Sequence, residues 1–411
     1  MVQAPVISFE NTEYAFAYKK NSDLKKAHFL FSMMGKQWLV NLGLKLAPLA
    51  IKFKIPFTNS AIRKTIFQQF VGGETLEETS LIAKKLGQYN VEVILDYGVE
   101  GGNDGEHGFD DSTEQFIRVI NYAATQLNIP FMSIKVTGFS RFSLLEKIDE
   151  LMNGIKGTLM KRYLTALDLL PQSEKEEWHR VRVRMLRICE AALEKKVSVL
   201  VDAEETWIQD PVDALTILMM DTFNKETAVV YNTLQLYRID RLKFLEDSYE
   251  AAAERNFVLG AKLVRGAYME NERKRAADMN YPSPIQPDKQ TCDKDYNAAV
   301  EFSIAHLDKI ALVVASHNEE SNLLATKLLD QKGLPHNHPN VHFSQLYGMS
   351  DNITFNLAKA GFSVSKYLPF GPIKYVIPYL MRRAEENSSM SGQTGKELQY
   401  IKTEIERRKR Q

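Results

Sequence analysis

The feature that most constrains the fold is an alternation of short apolar, β-rich runs with helical stretches, from about residue 91 to about residue 387. Eight such runs occur, and each is followed by a segment able to form at least one helix. The runs span residues 91–96, 131–136, 197–202, 228–235, 261–265, 311–317, 341–345 and 362–367. Strict strand-helix alternation predicts parallel strands joined by helical crossovers. Eight units over this length predict an α/β fold of the closed (β/α)8 TIM type.

A doubly wound parallel sheet is the alternative that shares this alternation. Its dinucleotide-binding form carries Gly-x-Gly-x-x-Gly directly after the first strand. No such sequence follows residues 91–96. The barrel is therefore the predicted fold.

Three regions are expected along the chain: a helical arm over residues 1–88, the barrel over residues 89–390, and a charged C-terminal helix or tail over residues 391–411. Helices in the arm are predicted over residues 22–34, over residues 37–53 with a break at Pro48, and over residues 60–70. Lysines and large apolar residues mix within residues 36–54, which is typical of a segment that lies on an anionic membrane. A helical arm packed on the barrel is the alternative interpretation.

Composition excludes several classes of protein. Lys+Arg and Asp+Glu both number 52, so no net field favours nucleic acid as a partner. Cys189 and Cys292 are too few for a disulfide framework or a cysteine-based zinc site. No apolar run is long enough to span a bilayer, and no targeting segment is recognisable. The expected location is the cytoplasm, with peripheral attachment to the inner face of the cytoplasmic membrane as a candidate.

Polar side chains follow the predicted strands at the ends where barrel enzymes carry their active sites. In chain order they are Asp96, Lys135, Asp202, Glu204, Glu205, Gln235, Arg265, Tyr268, His317, Asn318, Gln345 and Tyr367. A surface position or a satisfied interior hydrogen bond is the alternative for any one of them. Because every predicted strand ends in such a residue, the pattern predicts a site at this end of the barrel.

Two adjacent arginines lie on the predicted helix after the last strand. On a helical wheel Tyr375, Tyr379, Arg382, Arg383 and Glu386 share one arc, and apolar residues share another. Glu386 follows the arginines by four and three residues, so it is placed to orient either guanidinium toward an anion. A solvated helix face with a weak surface ion pair is the alternative.

Five motifs, in the same order, resemble those of the proline dehydrogenase family. They are Val201-Asp-Ala-Glu-Glu205, Leu263-Val-Arg-Gly-Ala-Tyr268, Ser316-His-Asn318, Gln345-Leu-Tyr-Gly-Met349, and Tyr367-Leu-Pro-Phe-Gly371 with Tyr379-Leu-Met-Arg-Arg383. The resemblance covers roughly residues 70 to 390 and is nearest the mitochondrial branch, in a chain that looks bacterial. It implies FAD-dependent oxidation of L-proline to Δ1-pyrroline-5-carboxylate, with hydride transfer to flavin N5 and electrons passed to a quinone, as the first step of proline catabolism to glutamate.

The resemblance also implies substrate and catalytic positions. These are Lys135, Asp202, Tyr268, Leu346, Tyr367, Arg382, Arg383 and Glu386. The two arginines with Lys135 correspond to the clamp for the substrate carboxylate, and Glu386 to the residue that organises the clamp. Leu346, Tyr268 and Tyr367 correspond to the residues that pack the ring. Asp202 corresponds to a carboxylate that orders this network, and we further expect it to pair with Lys135.

Cofactor positions follow from the same resemblance. They are Gln235, Lys262, Val264, Arg265, Gly266, Ala267, Ser316, His317 and Asn318. Lys262 departs from many bacterial members of the family, which carry an arginine near flavin N5 at this place. A lysine is a point charge rather than a planar fork, so it offers the flavin a different hydrogen bond.

The partners implied are L-proline, a quinone acceptor and, as a candidate, pyrroline-5-carboxylate dehydrogenase. No metal is expected, because His317 beside Asp202 and Glu204 has no second histidine at ligand spacing. No general base is assigned. Two other functions stay open. One is a Schiff-base lyase that uses Lys135, Lys262 or Lys366 as nucleophile, and the other is a non-enzymatic, flavin-containing proline sensor at a membrane.

Overall fold

The computed structural model describes residues 7–53, 57–98, 105–389 and 391–411. For residues 47–52, 386–389 and 391–394 it describes the backbone alone. Eight strands form a closed barrel in which each strand neighbours the next in sequence and β8 neighbours β1. They are β1 Glu92–Tyr97, β2 Phe131–Ile134, β3 Ser198–Val201, β4 Val230–Gln235, β5 Leu259–Val264, β6 Ile310–Ala315, β7 Val341–Leu346 and β8 Val364–Phe370. The predicted (β/α)8 barrel is confirmed.

Helices alternate with these strands. Before β1 lie α1 Thr12–Ala15, α2 Asn21–Met34, α3 Gln37–Lys52, α4 Thr58–Ile62, α5 Gln68–Phe70 and α6 Leu76–Gly87. Between the strands lie α7 Gly105–Ala123, α8 Phe142–Asn153, α9 Leu159–Asp168, α10 Gln172–Lys195, α11 Thr206–Phe223, α12 Arg241–Arg255, α13 Met269–Asp278, α14 Lys289–Ala305, α15 Glu319–Gln331 and α16 Asp351–Lys359. After β8 come α17 Ile373–Ser389 and α18 Ser391–Lys409.

The chain divides into two compact units. We call Met1–Gly98 with Phe343–Gln411 the terminal unit and Val99–His342 the central unit. The boundaries expected at residues 88 and 390 remain a prediction.

The first helices and the last helices share one core in the terminal unit. Phe31 of α2, Phe70 of α5, Val376 of α17 and Ile401 of α18 are all buried in the same apolar cluster. The ring centroids of Phe31 and Phe70 lie 6.1 Å apart, edge to face, a favoured geometry for aromatic pairs. The arm is therefore packed into this unit through α2 and α5.

Two details of the arm differ from the prediction. Helix α3 continues through Pro48, where a break was expected, since one missing N–H removes a single hydrogen bond of the helix. The predicted helix over residues 60–70 is interrupted by a π-helical turn, Arg63–Phe67, between α4 and α5. Within the described residues, no helix is long and apolar enough to cross a membrane.

A glycine pair holds the carboxyl end of β8. Gly72 N donates to Pro369 O at 2.8 Å, and Gly371 N donates to Gly73 O at 2.9 Å. A Cβ on Gly72 would lie 2.7 Å from the side chain of Leu368, so only glycine permits this approach. The segment thereby fixes the end of the strand that carries Tyr367.

Candidate active site

Asp202 and Lys262 form an ion pair inside the central unit. Lys262 lies on β5 with 5% of its side chain exposed, and its ammonium pairs with Oδ1 of Asp202, the residue after β3. Asp202 N donates to Ile134 O at 2.8 Å, which joins the ends of β3 and β2. Lys135 follows β2 and is half-buried. The expected pairing of Asp202 with Lys135 remains a prediction.

Gln235 is buried at the end of β4 and links two neighbouring strand ends. Its Nε2 donates to Glu204 O at 2.7 Å, and its Oε1 accepts from Ala267 N at 3.4 Å. Glu204 is itself fixed, because its N donates to Gln209 Oε1 at 2.8 Å and its carboxylate accepts from the Thr137 hydroxyl at 2.8 Å. The amide of Gln235 is consequently held in one orientation.

Arg265, directly after β5, has its guanidinium fixed on several sides. Nε donates to Asp293 Oδ1 at 2.7 Å, and the two terminal nitrogens donate to Ser316 Oγ at 2.7 Å and Ser321 Oγ at 3.0 Å. The guanidinium carbon also lies 4.4 Å from the ring centroid of Tyr296, a cation–π distance. Arg265 is therefore a rigid cation with 23% of its side chain exposed.

The residues after β6 form the start of α15. Asn318 is the N-cap, and its Oδ1 accepts from Ser321 N at 3.0 Å. Ser316 Oγ accepts from Asn318 N at 3.1 Å as well as from Arg265. His317 between them is half-buried. Arg265, Ser316 and Asn318, predicted together from the motifs, are thus brought together by hydrogen bonds.

The backbone is exposed where β5 ends. Gly266 has a φ of 140°, and a Cβ there would lie 2.5 Å from the ring of Tyr237. Gly266 and Ala267 are exposed, and Val264 and Tyr268 are half-buried. Only glycine combines this φ with this approach, so the motif requires it for a backbone reason.

Leu346 and Tyr367 lie side by side in the terminal unit. They are register partners in the parallel pairing of β7 with β8. Tyr347 N donates to Tyr367 O at 2.9 Å, which continues the ladder past Leu346. Leu346 also packs against the apolar cluster of this unit. Two of the predicted ring-packing residues are therefore adjacent.

Arg383 and Tyr379 on α17 are buried rather than solvated. Arg383 is 5% exposed and Tyr379 is 9% exposed. The guanidinium carbon of Arg383 lies 5.2 Å from the ring centroid of Tyr379. Arg382 is half-buried, and Tyr375 is exposed. The alternative of a solvated helix face is therefore wrong for Arg383 and Tyr379. The side chain of Glu386 lies outside the described part of the structure.

Several residues in contact with the predicted site have no motif of their own. Asp293 and Ser321 bind Arg265, although the N-cap spacing from Asn318 to Ser321 is a signal that sequence reasoning can use. Among the described residues, no three His, Cys, Asp or Glu side chains are grouped to hold a metal ion.

A closed parallel barrel with charged and polar side chains after its strands has the architecture of a barrel enzyme. The sequence model of the family described as "Proline dehydrogenase" matches residues 81–396. The chain belongs to the proline dehydrogenase family, whose members are flavoenzymes in general, and the predicted family is confirmed.

Curated relatives agree with this assignment. "Proline dehydrogenase 1, mitochondrial" of Dictyostelium discoideum is 34% identical, and the match covers 85% of this chain and 66% of that protein. "Carbapenem antibiotics biosynthesis protein CarD" of Pectobacterium carotovorum subsp. carotovorum is 38% identical, over 82% of this chain and 83% of that protein.

A solved structure shares the fold. The crystal structure of proline utilization A from Bdellovibrio bacteriovorus, inactivated by N-propargylglycine, matches with a TM-score of 0.72 at 19% identity. The match covers 92% of this chain and 41% of that one, so this chain spans less than half of the longer protein.

Proposed function

We propose that the protein oxidises L-proline to Δ1-pyrroline-5-carboxylate with FAD as cofactor and passes the electrons to a quinone. The observation that carries the proposal is the family match over residues 81–396. The reaction removes a hydride from the ring carbon beside the nitrogen and a proton from the nitrogen, and a C=N bond forms. The chain must therefore hold a small amino acid, with its carboxylate and its amine, in one orientation.

In this proposal Arg382, Arg383 and Lys135 bind the substrate carboxylate. The burial of Arg383 supports the role, because a fixed and desolvated guanidinium binds a carboxylate more strongly than an exposed one. Each charge-assisted hydrogen bond contributes about 1.5 to 3 kcal/mol. Glu386 is proposed to orient the arginines, and Asp202 to order the network through its charge.

The substrate ring is proposed to pack on Leu346, Tyr367 and Tyr268. Support comes from the register of Leu346 with Tyr367, which sets their spacing by the strand geometry rather than by a loop. By resemblance, Tyr367 corresponds to the tyrosine that proline-specific members of the family place against the far edge of the ring. We therefore propose a preference for L-proline over 4-hydroxyproline.

The residues after β5 and β6 fit a cofactor with a diphosphate. Arg265 is a rigid cation, although Asp293 balances part of its charge, and α15 begins with its N-terminus directly after Asn318. Gly266 and Ala267 leave the backbone open to close approach. We propose that these residues, with Ser316, His317 and Val264, hold FAD, and that Gln235 and Lys262 contact its ring. When bound, FAD supplies the acceptor for the hydride.

No side chain is proposed as a general base. The amine must lose its proton before hydride leaves, and desolvation in a closed site favours the neutral amine. We propose that the amine releases this proton to solvent while the substrate binds, before hydride transfer.

The deciding experiment is the visible spectrum of the purified protein before and after anaerobic addition of L-proline. We expect a flavin spectrum that bleaches with proline and is restored by a soluble quinone analogue. Colourless protein that borohydride links covalently to a carbonyl substrate would instead establish the Schiff-base lyase. A flavin that bleaches without turnover would establish the sensor. Lys366, fully buried and bonded to Met349 O and Asp351, is a poor candidate for the lyase nucleophile.

Peripheral membrane binding is proposed for α3, which would bring the protein to a membrane-dissolved quinone. Trp38, Leu42 and Leu46 recur every four residues along α3, and all three are exposed. No Asp or Glu occurs between Asp23 and Glu74, whereas lysines and arginines recur there. An apolar stripe within a purely basic segment suits an anionic membrane surface. Transfer of the product to a pyrroline-5-carboxylate dehydrogenase is a further proposal.

A further inference from the structure

A cluster of ionisable side chains, which we call the charge cluster, lies mostly buried in the terminal unit beside the loop that follows β7. Its members are Tyr18, Lys19, Asp351, Lys366 and Glu397. Asp351 is 2% exposed, and three groups surround its carboxylate at 2.9 Å each: the ammonium groups of Lys19 and Lys366 and the hydroxyl of Tyr18. The proposed reaction uses none of these five side chains.

This charge cluster holds the loop over residues 346–350 from two sides. The Lys366 ammonium donates to Met349 O at 2.5 Å and to Leu346 O at 3.5 Å. The Glu397 carboxylate, which comes from α18, accepts from Ser350 N. The loop is therefore held by one side chain from β8 and another from the last helix.

The same loop is held a third time by the arm. Gln69 Nε2 donates to Gly348 O at 2.7 Å. Gly348 has a φ of 82°, and a Cβ on it would lie 2.0 Å from Gln69 O. The loop thus has little room to adopt another path, and it begins at Leu346.

Lys366 and Tyr367 are consecutive on β8, so their side chains point to opposite faces of the strand. Lys366 fixes the loop from one face. Tyr367 lies on the other face beside Leu346, its register partner. One strand can therefore couple the charge cluster to the two residues that are proposed to pack the substrate ring.

We propose that the charge cluster is a positioning device for substrate: it fixes the loop 346–350 and thereby sets the packing of Leu346 and Tyr367 on the ring. The arm, through Lys19, and α18, through Glu397, then become parts of the substrate site rather than appendages. The inference rests on the proposed function for the identity of the substrate. Its physical basis is that the buried Asp351 carboxylate is favourable only while it is paired with the ammonium groups of Lys19 and Lys366. The buried Glu397 carboxyl group likewise needs its hydrogen bond from Ser350 N.

The test compares Lys366→Met and Glu397→Gln with two matched surface variants, Lys402→Met and Glu406→Gln on α18. Lys366→Met keeps most of the length of the side chain but removes the donor to Met349 O and the charge that pairs with Asp351. Glu397→Gln keeps an acceptor for Ser350 N and removes the ionisable carboxyl group, so we expect it to fold even where Lys366→Met does not. Lys402 and Glu406 are exposed.

The kinetic readout separates ring packing from carboxylate binding. In Lys366→Met we expect KM for proline to rise about tenfold with kcat reduced less, and the preference for proline over 4-hydroxyproline to narrow. Glu397→Gln should also raise KM for proline and narrow the preference for proline, but by smaller factors. Inhibition by acetate, which offers the clamp a carboxylate and no ring, should stay within about twofold of wild type. If the affinity for acetate fell by the same factor as the affinity for proline, the site as a whole would be destabilised and the proposal would be overturned.

The structural readout is amide hydrogen exchange of a peptide spanning residues 346–351, which needs no activity. We expect faster exchange in Lys366→Met and Glu397→Gln and unchanged exchange in Lys402→Met and Glu406→Gln. If wild-type protein fails to oxidise proline, the proposed function fails, and the exchange result still decides whether the cluster holds the loop. If Lys366→Met does not fold, Glu397→Gln decides alone. Wild-type exchange in a folded cluster variant would contradict the positioning role.

Discussion

Leu346 and Tyr367 are direct partners in the pairing of β7 with β8, and the next backbone hydrogen bond, from Tyr347 N to Tyr367 O, measures 2.9 Å. Register partners on neighbouring strands lie about 4.8 Å apart and point to the same face of the sheet. The surface that these two side chains present is therefore set by the barrel itself.

The first prediction concerns substrate choice. Tyr367→Ser should lower kcat/KM for proline and narrow its lead over 4-hydroxyproline by about ten- to a hundredfold, because overpacking a tight site costs about 1 to 3 kcal/mol. Steady-state kinetics with both substrates measure the ratio. Tyr14→Ser, at an exposed tyrosine of α1, is the control. An unchanged ratio in Tyr367→Ser would show that Tyr367 does not select the ring.

The second prediction concerns the arginine pair. Arg383→Met and Arg382→Met should each raise KM for proline by about ten- to a hundredfold, since each removes charge-assisted hydrogen bonds to the carboxylate. Prolinol, which lacks the carboxylate, should be a poor substrate for the wild-type protein. Its kcat/KM should fall much less in the variants than that of proline. Arg410→Met, at an exposed position, should behave as wild type. A KM that stays at the wild-type value in both single variants would remove the clamp from the mechanism.

The third prediction concerns the buried pair of Lys262 with Asp202. Lys262→Met leaves the Asp202 carboxylate, of which only 13% is exposed, without this partner and should destabilise the fold by about 3 kcal/mol. Adding Asp202→Asn should recover part of that loss, and urea unfolding of the four proteins gives the coupling free energy. The pair of Lys225 with Asp221, in which the lysine side chain is 53% exposed, is the control, and Lys225→Met should cost less than about 0.5 kcal/mol. Additive losses at Lys262 and Asp202 would show that their pairing contributes nothing.

The fourth prediction is a dependence of stability on pH that arises at Glu397. Burial and the nearby Asp351 carboxylate raise the pKa of Glu397 from 4.5 to about 7, although Ser350 N, Lys366 and Lys19 act against the shift. The folded protein therefore keeps a proton that the unfolded chain releases between these values. The contribution of Glu397 to stability is largest below about pH 4.5 and is lost as pH rises toward 7.

Glu397→Gln removes this titration, so the stability of the variant relative to wild type should increase from about pH 5 to about pH 8, as urea unfolding would measure. Tyr18 belongs to the same cluster, and burial together with Asp351 raises its pKa well above its ordinary value. Burial lowers the pKa of Lys366, although Asp351 acts against the shift, and Lys366 is present in both proteins. Burial acts to raise the pKa of Asp351, but Lys19 and Lys366 together lower it to about 2, so Asp351 loses its contribution only in more acidic solution. Asp149, whose pKa is raised to about 7 by burial and Asp210, titrates equally in both proteins. A constant difference across the range would refute the assignment.

The fifth prediction concerns membranes. Replacing Trp38, Leu42 and Leu46 by serine should reduce binding to phosphatidylglycerol-containing vesicles at least about tenfold, because each large apolar side chain contributes about 1.5 to 3 kcal/mol on burial. Leu127→Ser, at an exposed leucine after α7, should leave vesicle binding unchanged. Cosedimentation with the vesicles at low and at high salt measures the binding of the triple variant and of Leu127→Ser. Equal binding by the triple variant and wild type would leave α3 as a structural helix.

The sequence alone was sufficient for the order and direction of the strands and for the family. Alternation of apolar runs with helical stretches is a local property, and a right-handed chain of strand-helix units has few ways to close. The Leu-Val-Arg-Gly-Ala-Tyr motif is local in the same sense: Gly266 is needed where the backbone passes the Tyr237 ring. Even so, local rules erred at Pro48, because a single proline interrupts one hydrogen bond and α3 continues through it.

The partners of the charged residues were decided only by the tertiary structure. Asp202 binds Lys262, 60 residues further along the chain, and Tyr18 binds Asp351 across 333 residues. No periodicity encodes such pairs, because the barrel brings together strand ends that are remote in sequence. Burial decided the rest: Arg383 would lie on a polar face by the helical wheel alone, and it is covered because α17 packs among the first and last helices. The chain order thus predicts which elements form, whereas their packing determines which charges must meet inside them.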